Sequence, residues 1–283
     1  MTPVRVFVYL LFAQLTYSQT AIDTDSLWQD FLAWIKRQPG VSDIGPDKYQ
    51  KHLIERGLTN DEATQRLTLI SKLATERGRE LTAAYMNKLY TSPAQTRFTH
   101  DPNAFLALAA KAWKPGKALD VAMGQGRNAL YLARQGWKVT GYDIAEEGLR
   151  VAREAAAKAG VTLHTVLSTF EDFDYGIERW DLIYFVYTDA PVVDPAFARR
   201  IVAALKPGGY LLIERPFKDL DQPDPEWRAP LIEQDKPNAL LQAYPGLRVL
   251  HYQDTMEVGD WQQTSVKRIE KQLRIVRLLA RKP

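Results

Sequence analysis

The sequence predicts an α/β fold: a doubly wound, mostly parallel, seven-stranded sheet with a reversed edge strand, preceded by an α-helical N-terminal extension. Three observations carry this expectation. Between residues 23 and 92 apolar residues recur at helical spacing; after Pro93 short β-rich runs alternate with helical stretches; and the last two β-rich runs are joined by a short connection. Alternating strands and helices imply a parallel sheet wrapped by helices. Two successive strands suit an antiparallel pair at one sheet edge. With 283 residues, 46% of them hydrophobic, the chain can bury one full α/β domain plus an accessory element.

The first residues differ from all that follow. Arg5 supplies a positive charge, 6–15 is a charge-free apolar run, and Thr16-Tyr17-Ser18 places small residues where a signal peptidase cuts. Residues 1–18 therefore read as a secretory signal peptide, too short to span a bilayer. That predicts export to the periplasm or beyond; the alternative is a loose apolar tail on a cytoplasmic protein.

Residues 19–92 form the expected helical extension. Leu27, Phe31, Trp34 and Ile35 share one helix face, Pro39-Gly40 ends it, and Tyr49, Leu53 and Ile54 mark a second short helix closed by Gly57. Asn60 suits an N-cap, with Asp61 and Glu62 in the first turn, for a long helix carrying Leu67, Ile70, Leu73, Leu81 and Tyr85. These aromatic residues read as core rather than as substrate contacts. Residues 93–283 form the second unit, with strand-like runs at 118–122, 138–142, 162–167, 182–186, 210–214, 247–253 and 273–280.

Composition narrows the function. A formal net charge of +3 gives no strong field for nucleic acid or an anionic membrane, so neither is expected as a partner. The absence of cysteine removes disulfides, thiolate metal sites and thiol nucleophiles. The four histidines show no ligand spacing, and no metal is expected.

The most informative segment is Ala118-Leu-Asp-Val-Ala-Met-Gly-Gln-Gly-Arg-Asn-Ala129, a buried-strand pattern running through glycines into a helix. Gly124 and Gly126 let the backbone turn tightly against a ligand, and the helix N-terminus presents unpaired N–H groups. Asp143 ends the next strand, where a carboxylate can accept from both hydroxyls of a ribose. An adenosine-containing ligand follows. The spacing Gly124-x-Gly126-x-x-Ala129 also fits a dinucleotide site, so an NAD-dependent oxidoreductase stands as an alternative. Asp120 discriminates: it suits the ammonium of a methionine moiety and would repel a pyrophosphate.

The run 118–133 resembles the first motif of class I S-adenosylmethionine-dependent methyltransferases, and its Gly-Arg-Asn-Ala-Leu-Tyr-Leu-Ala portion is similar to the tellurite-resistance and thiopurine methyltransferase-like subgroup. The similarity continues through Gly141-Tyr-Asp143, Trp180-Asp181-Leu-Ile183 and Leu205-Lys-Pro-Gly-Gly-Tyr-Leu-Leu212. The resemblance implies S-adenosylmethionine as cofactor, with Asp120 and the 124–126 turn at its methionine end, Asp143 on its ribose, Ile144 against adenine, and Thr169 and Phe170 at the adenine edge. It adds Asn128 and Phe185 to the cofactor set. Two departures stand out. Ala122 replaces the family's first glycine, a mild change if that position keeps φ below zero, and Thr169 replaces a common acid, for which Glu171 or Asp172 can substitute.

The resemblance implies methyl transfer to a small molecule, the alternative being a binding protein without turnover. In doubly wound sheets ligands sit beyond the carboxyl ends of the strands, which places the acceptor near 185–188 and 214–217. Tyr187 is the catalytic candidate, as orienter or weak acid/base, against a plain reading as pocket wall. The segment 97–105 reads as a lid or as a loop capped by Asp101, and the proline-rich insert 219–230, with Trp227 and Arg228, as a cap or a surface loop.

Overall fold

The structure is a computed structural model, and it describes residues 22–92, 98–217, 238–260 and 272–283. The expected signal segment 1–18, Arg97 and the proline-rich insert 219–230 lie outside the described residues.

The extension forms α1 (Thr24–Arg37), α2 (Pro46–Glu55), α3 (Asn60–Glu76) and α4 (Gly78–Thr91). Asp23 caps α1 by accepting from the N–H groups of Asp25 and Ser26, and Lys36 and Arg37 lie in its last turn. The long helix expected from residue 60 differs in two ways. Its N-cap is Thr59, one residue earlier, because Thr59 and Glu62 close a capping box in which each side chain accepts from the other's backbone N–H. It also breaks at Arg77-Gly78, which separates α3 from α4. Phe31, Trp34 and Tyr49 are buried with Trp28, Leu53, Ile70 and Leu73, as expected of them, whereas Tyr85 on α4 is 40% exposed and is not core. The Trp28 indole donates to Glu80 at 2.8 Å and ties α1 to α4.

The second unit runs α5 (Ala104–Ala110), β1 (Lys117–Val121), α6 (Arg127–Arg134), β2 (Lys138–Asp143), α7 (Glu146–Lys158), β3 (His164–Leu167), β4 (Trp180–Val186), α8 (Pro195–Ala204), β5 (Leu205–Phe217), α9 (Ala239–Ala243), β6 (Arg248–Glu257) and β7 (Leu273–Arg281). The strands form one seven-stranded sheet in the order β3-β2-β1-β4-β5-β7-β6. β1 to β5 pair in parallel, and β7 runs antiparallel to both β5 and β6. The antiparallel pair lies at the sheet edge as the sequence predicts, with its reversed member between β5 and β6.

Neighbouring residues along each central strand enter opposite layers. Ala118 and Leu182 pack with Leu106 of α5, Ala129 and Leu132 of α6 and Leu149 of α7. Leu119, Ile183 and Phe185 pack with Phe197 and Ile201 of α8. Covering both faces is what makes these strands nearly continuous apolar runs. Truncating a side chain such as Ile183, fully buried, would cost about 2–5 kcal/mol.

This layering brings the carboxyl ends of β1 and β4 side by side, Val121 opposite Phe185, where the strand order reverses. Such a switch point opens a crevice between connections that leave in opposite directions. α4 packs over α7 beside that crevice, and Asn87 on α4 accepts from the Glu147 N–H at 2.9 Å, satisfying a donor in the first turn of α7.

Candidate functional site

The chain leaves β1 through Ala122, whose φ of 56° is left-handed. The condition under which alanine would be a mild replacement for glycine, φ below zero, is therefore not met, and its Cβ pays about 1–2 kcal/mol in that conformation. Gly124 (φ 51°) and Gly126 (φ 76°) complete the turn. A Cβ on Gly126 would stand 2.9 Å from the Ala152 Cβ, so the glycine also allows α6 to approach α7. Gly126 begins α6 with no side-chain cap, and Gly126, Arg127 and Asn128 at the start of that helix line the crevice.

Two buried carboxyls face this turn. Asp143 ends β2; its Oδ2 accepts from the Gly124 N–H at 2.8 Å and its Oδ1 from the Ala145 N–H at 2.9 Å. Burial pushes its pKa up, against the lowering effect of those N–H groups. Asp120 on β1 is 3% exposed, and its Oδ2 has no hydrogen-bond partner. Burial pushes its pKa up to about 7, and the Asp143 charge adds to that, while the Tyr184 hydroxyl and the Arg127 charge lower it. The Tyr184 hydroxyl is itself buried without a partner, so it stands near Asp120 outside hydrogen-bonding geometry. A desolvated carboxyl with an orphaned oxygen is stabilised by a cation placed against it.

The crevice holds two cavities of about 540 and 320 Å³. Asp120, Gly124, Gly126 and Asn128 line the larger; Asp143, Ile144, Thr169 and Phe170 line the smaller; Ala122 and Tyr187 line both. The structure thus gathers these sequence-predicted residues, with one exception. Phe185 lines neither cavity: it is fully buried, with its ring centroid 5.9 Å from that of Phe197 on the opposite side of the sheet. The Asn128 Oδ1 accepts from the Asn103 N–H at 2.8 Å, so that side chain holds the loop before α5. Thr169 donates to Asp172 at 2.7 Å, and of the two acids offered as substitutes only Glu171 lines the smaller cavity. Phe98, Thr99, His100 and Pro102 border the larger cavity, as a lid there would. Asn103, not Asp101, caps α5, accepting from the Leu106 N–H at 2.9 Å.

Tyr187 follows β4 with φ 53°, a second strained exit beside that of β1. Its hydroxyl donates to Glu214 at 2.5 Å and accepts from the Asp260 N–H at 3.2 Å. Burial and the nearby Glu214 and Asp260 charges push the phenol well above its usual pKa. Glu214, 1% exposed, also accepts from Asn103 at 2.7 Å and from Arg277 at 2.5 Å. Asp260 accepts from the Ala104 N–H at 2.9 Å and pairs with Arg127 at 3.1 Å. This network joins the ends of β4 and β5, the start of α6 and the loop before α5 around Tyr187. Sequence reasoning missed Asn103, Asp260 and Arg277 as members, since residues so far apart in the chain carry no local signal. It also missed Arg79, Thr82, Met86 and Tyr90 of α4, which line the smaller cavity.

Residues 118–209 match the family described as "Methyltransferase domain". A ubiquinone biosynthesis O-methyltransferase of Methylobacterium nodulans is 39% identical over 113 residues, 40% of this chain and 43% of that protein. A probable S-adenosyl-L-methionine-dependent methyltransferase, TehB of Haemophilus influenzae, is 28% identical over 180 residues, 62% of this chain and 60% of that one. The chain thus spans less than two thirds of the length of these relatives. The crystal structure of H. influenzae TehB superposes with a TM-score of 0.53 at 24% identity, covering 70% of this chain and 67% of that one, and shares the fold.

Proposed function

We propose that this chain, a class I S-adenosylmethionine-dependent methyltransferase by its domain at 118–209 and a relative of the tellurite-resistance subgroup, methylates a small-molecule acceptor by in-line transfer. The observation that carries the cofactor reading is Asp120: a buried carboxyl with an orphaned oxygen beside the glycine turn. Two desolvated carboxyls in one crevice favour a cationic ligand and penalise an anionic one, which supports S-adenosylmethionine over a dinucleotide.

The residues present fit that cofactor. Asp120 would hold its ammonium, and the uncapped start of α6 suits its carboxylate. Asp143 uses one lone pair on each oxygen for backbone N–H groups, and a carboxylate has about four such sites. It therefore retains capacity for both ribose hydroxyls, while Ile144 and Phe170 offer apolar walls to the base. When bound, the cofactor supplies an electrophilic methyl group on a sulfonium.

Methyl transfer needs a nucleophile aligned with that methyl group, so positioning can supply much of the acceleration. Tyr187 is a positioning residue in this reading. Its proton is committed to Glu214, which makes it a fixed wall between the two cavities rather than a base. The loop 98–103, anchored through Asn103 and Asn128, excludes water from the acceptor side. The test is transfer of a labelled methyl group to a panel of thiol, hydroxyl and amine acceptors. Label in one acceptor class supports the proposal; tight cofactor binding with no transfer to any class favours a binding protein.

A further inference from the structure

The helical extension forms one wall of the cofactor crevice along α4. Tyr90, in the last turn of α4, lines both cavities. Two glycines of the second unit are shaped to it. A Cβ on Gly124 would stand 2.6 Å from the Tyr90 hydroxyl oxygen, and a Cβ on Gly148 would stand 2.9 Å from its ring. Either methyl group would displace the ring, so the phenol and the two glycines fit as one surface. Asn87, one turn earlier on the same helix, fixes α4 to α7 by accepting from the Glu147 N–H. The phenol thus lies over the turn at the boundary of the two cavities, with Asp120 and Asp143 as its charged neighbours.

The Tyr90 hydroxyl has no hydrogen-bond partner among the described residues. Its surroundings decide what it offers. Burial and the two neighbouring carboxyls push its pKa well above the usual value, so at neutral pH it is a donor. The carboxyls at 120 and 143 suit an ammonium and a ribose, and both repel a carboxylate. An amino-acid tail lying against Asp120 therefore needs donors from elsewhere, and an open phenol over Gly124 is one.

We propose that Tyr90, carried by the N-terminal extension, is a cofactor-binding residue whose hydroxyl donates to the carboxylate of the cofactor's amino-acid tail. This rests on the S-adenosylmethionine reading and makes the extension part of the binding site.

The test is Tyr90→Phe, which keeps the ring on its two glycines and removes only the hydroxyl. Binding of S-adenosylhomocysteine and of 5′-methylthioadenosine, which lacks the amino-acid tail, is measured by calorimetry on the full chain, with thermal melting of the free protein as control. A hydrogen bond to a charged group predicts a loss of roughly tenfold for S-adenosylhomocysteine. The methylthioadenosine affinity and the melting temperature should stay unchanged. Equal loss for both ligands would place the contact on the nucleoside and overturn the proposal, as would no loss for either. A drop in melting temperature without selective loss would make the hydroxyl structural. Failure of the unsubstituted chain to bind either ligand would overturn the cofactor reading itself, and this proposal with it.

Discussion

Asp120→Asn should make the free protein more stable and the ligand complex weaker. The Asp120 carboxyl has a pKa of about 7 in the fold against 3.8 ordinarily, a difference worth about 4 kcal/mol. Between about pH 4 and pH 7 the folded chain holds a proton that the unfolded chain has released. Stability contributed by this group therefore falls as pH rises through that window and is lowest above about pH 7. The amide of asparagine carries no charge to desolvate, but burying it unpaired costs about 1–3 kcal/mol of its own. The net gain at pH 8 is then about 2 kcal/mol, a rise of roughly 4–8 °C in melting temperature. An ammonium on Asp120 needs the ionised form, so S-adenosylhomocysteine affinity should fall about tenfold per pH unit below about pH 7. In Asp120→Asn that dependence should vanish, and affinity at pH 8 should drop at least tenfold. Melting curves at pH 5 and pH 8, with calorimetric titrations between pH 6 and 8, provide both readouts. A variant that melts below its parent at pH 8, or a parent whose affinity ignores pH, would refute this reasoning.

Asp143→Ala should weaken S-adenosylhomocysteine binding at least tenfold, more than Tyr187→Phe does, as calorimetry would show. It should also lower stability by about 2–4 kcal/mol, because the N–H groups of Gly124 and Ala145 lose their acceptor; thermal melting of the free protein measures this. Ala122→Gly removes a Cβ from a φ of 56° and, after the entropy that glycine adds to the unfolded chain, should stabilise by about 0.5–1 kcal/mol in chemical denaturation. Protein from the native host should begin near Gln19; N-terminal sequencing that returns an intact Met1 or Thr2 would end the expectation of export.

How much was legible follows from how local each signal is. The central sheet was readable because strands covered on both faces are continuous apolar runs, and the antiparallel pair showed as two successive β-rich runs with no helical pattern between them. The cofactor half of the crevice was readable because Asp120, Gly124, Gly126 and Asp143 belong to one strand-turn-helix-strand unit, where spacing fixes geometry. Asp143 was read for its ligand alone; that it also holds the turn depends on the Gly124 N–H, which only the folded backbone brings to it. The conformation of Ala122 is likewise a property of the turn and not of the residue. Tyr90 was hidden for a different reason. It continues a helix face of Arg79, Thr82 and Met86, whose mixed polarity matches no apolar stripe, while Leu81 of that helix packs against the extension's own core. The Glu214 network joins six segments across the second unit, and no sequence window spans it.

The central claim is that the crevice between Asp120 and Asp143 binds a cationic methionine-adenosine cofactor. The most direct measurement is a paired calorimetric titration of the full chain at pH 8 with S-adenosylhomocysteine and with NADH. Saturable one-to-one binding of S-adenosylhomocysteine, weakened at least tenfold in Asp143→Ala, with no heat from NADH, is the predicted result. Saturable binding of NADH without binding of S-adenosylhomocysteine would contradict the claim and return the glycine turn to a dinucleotide.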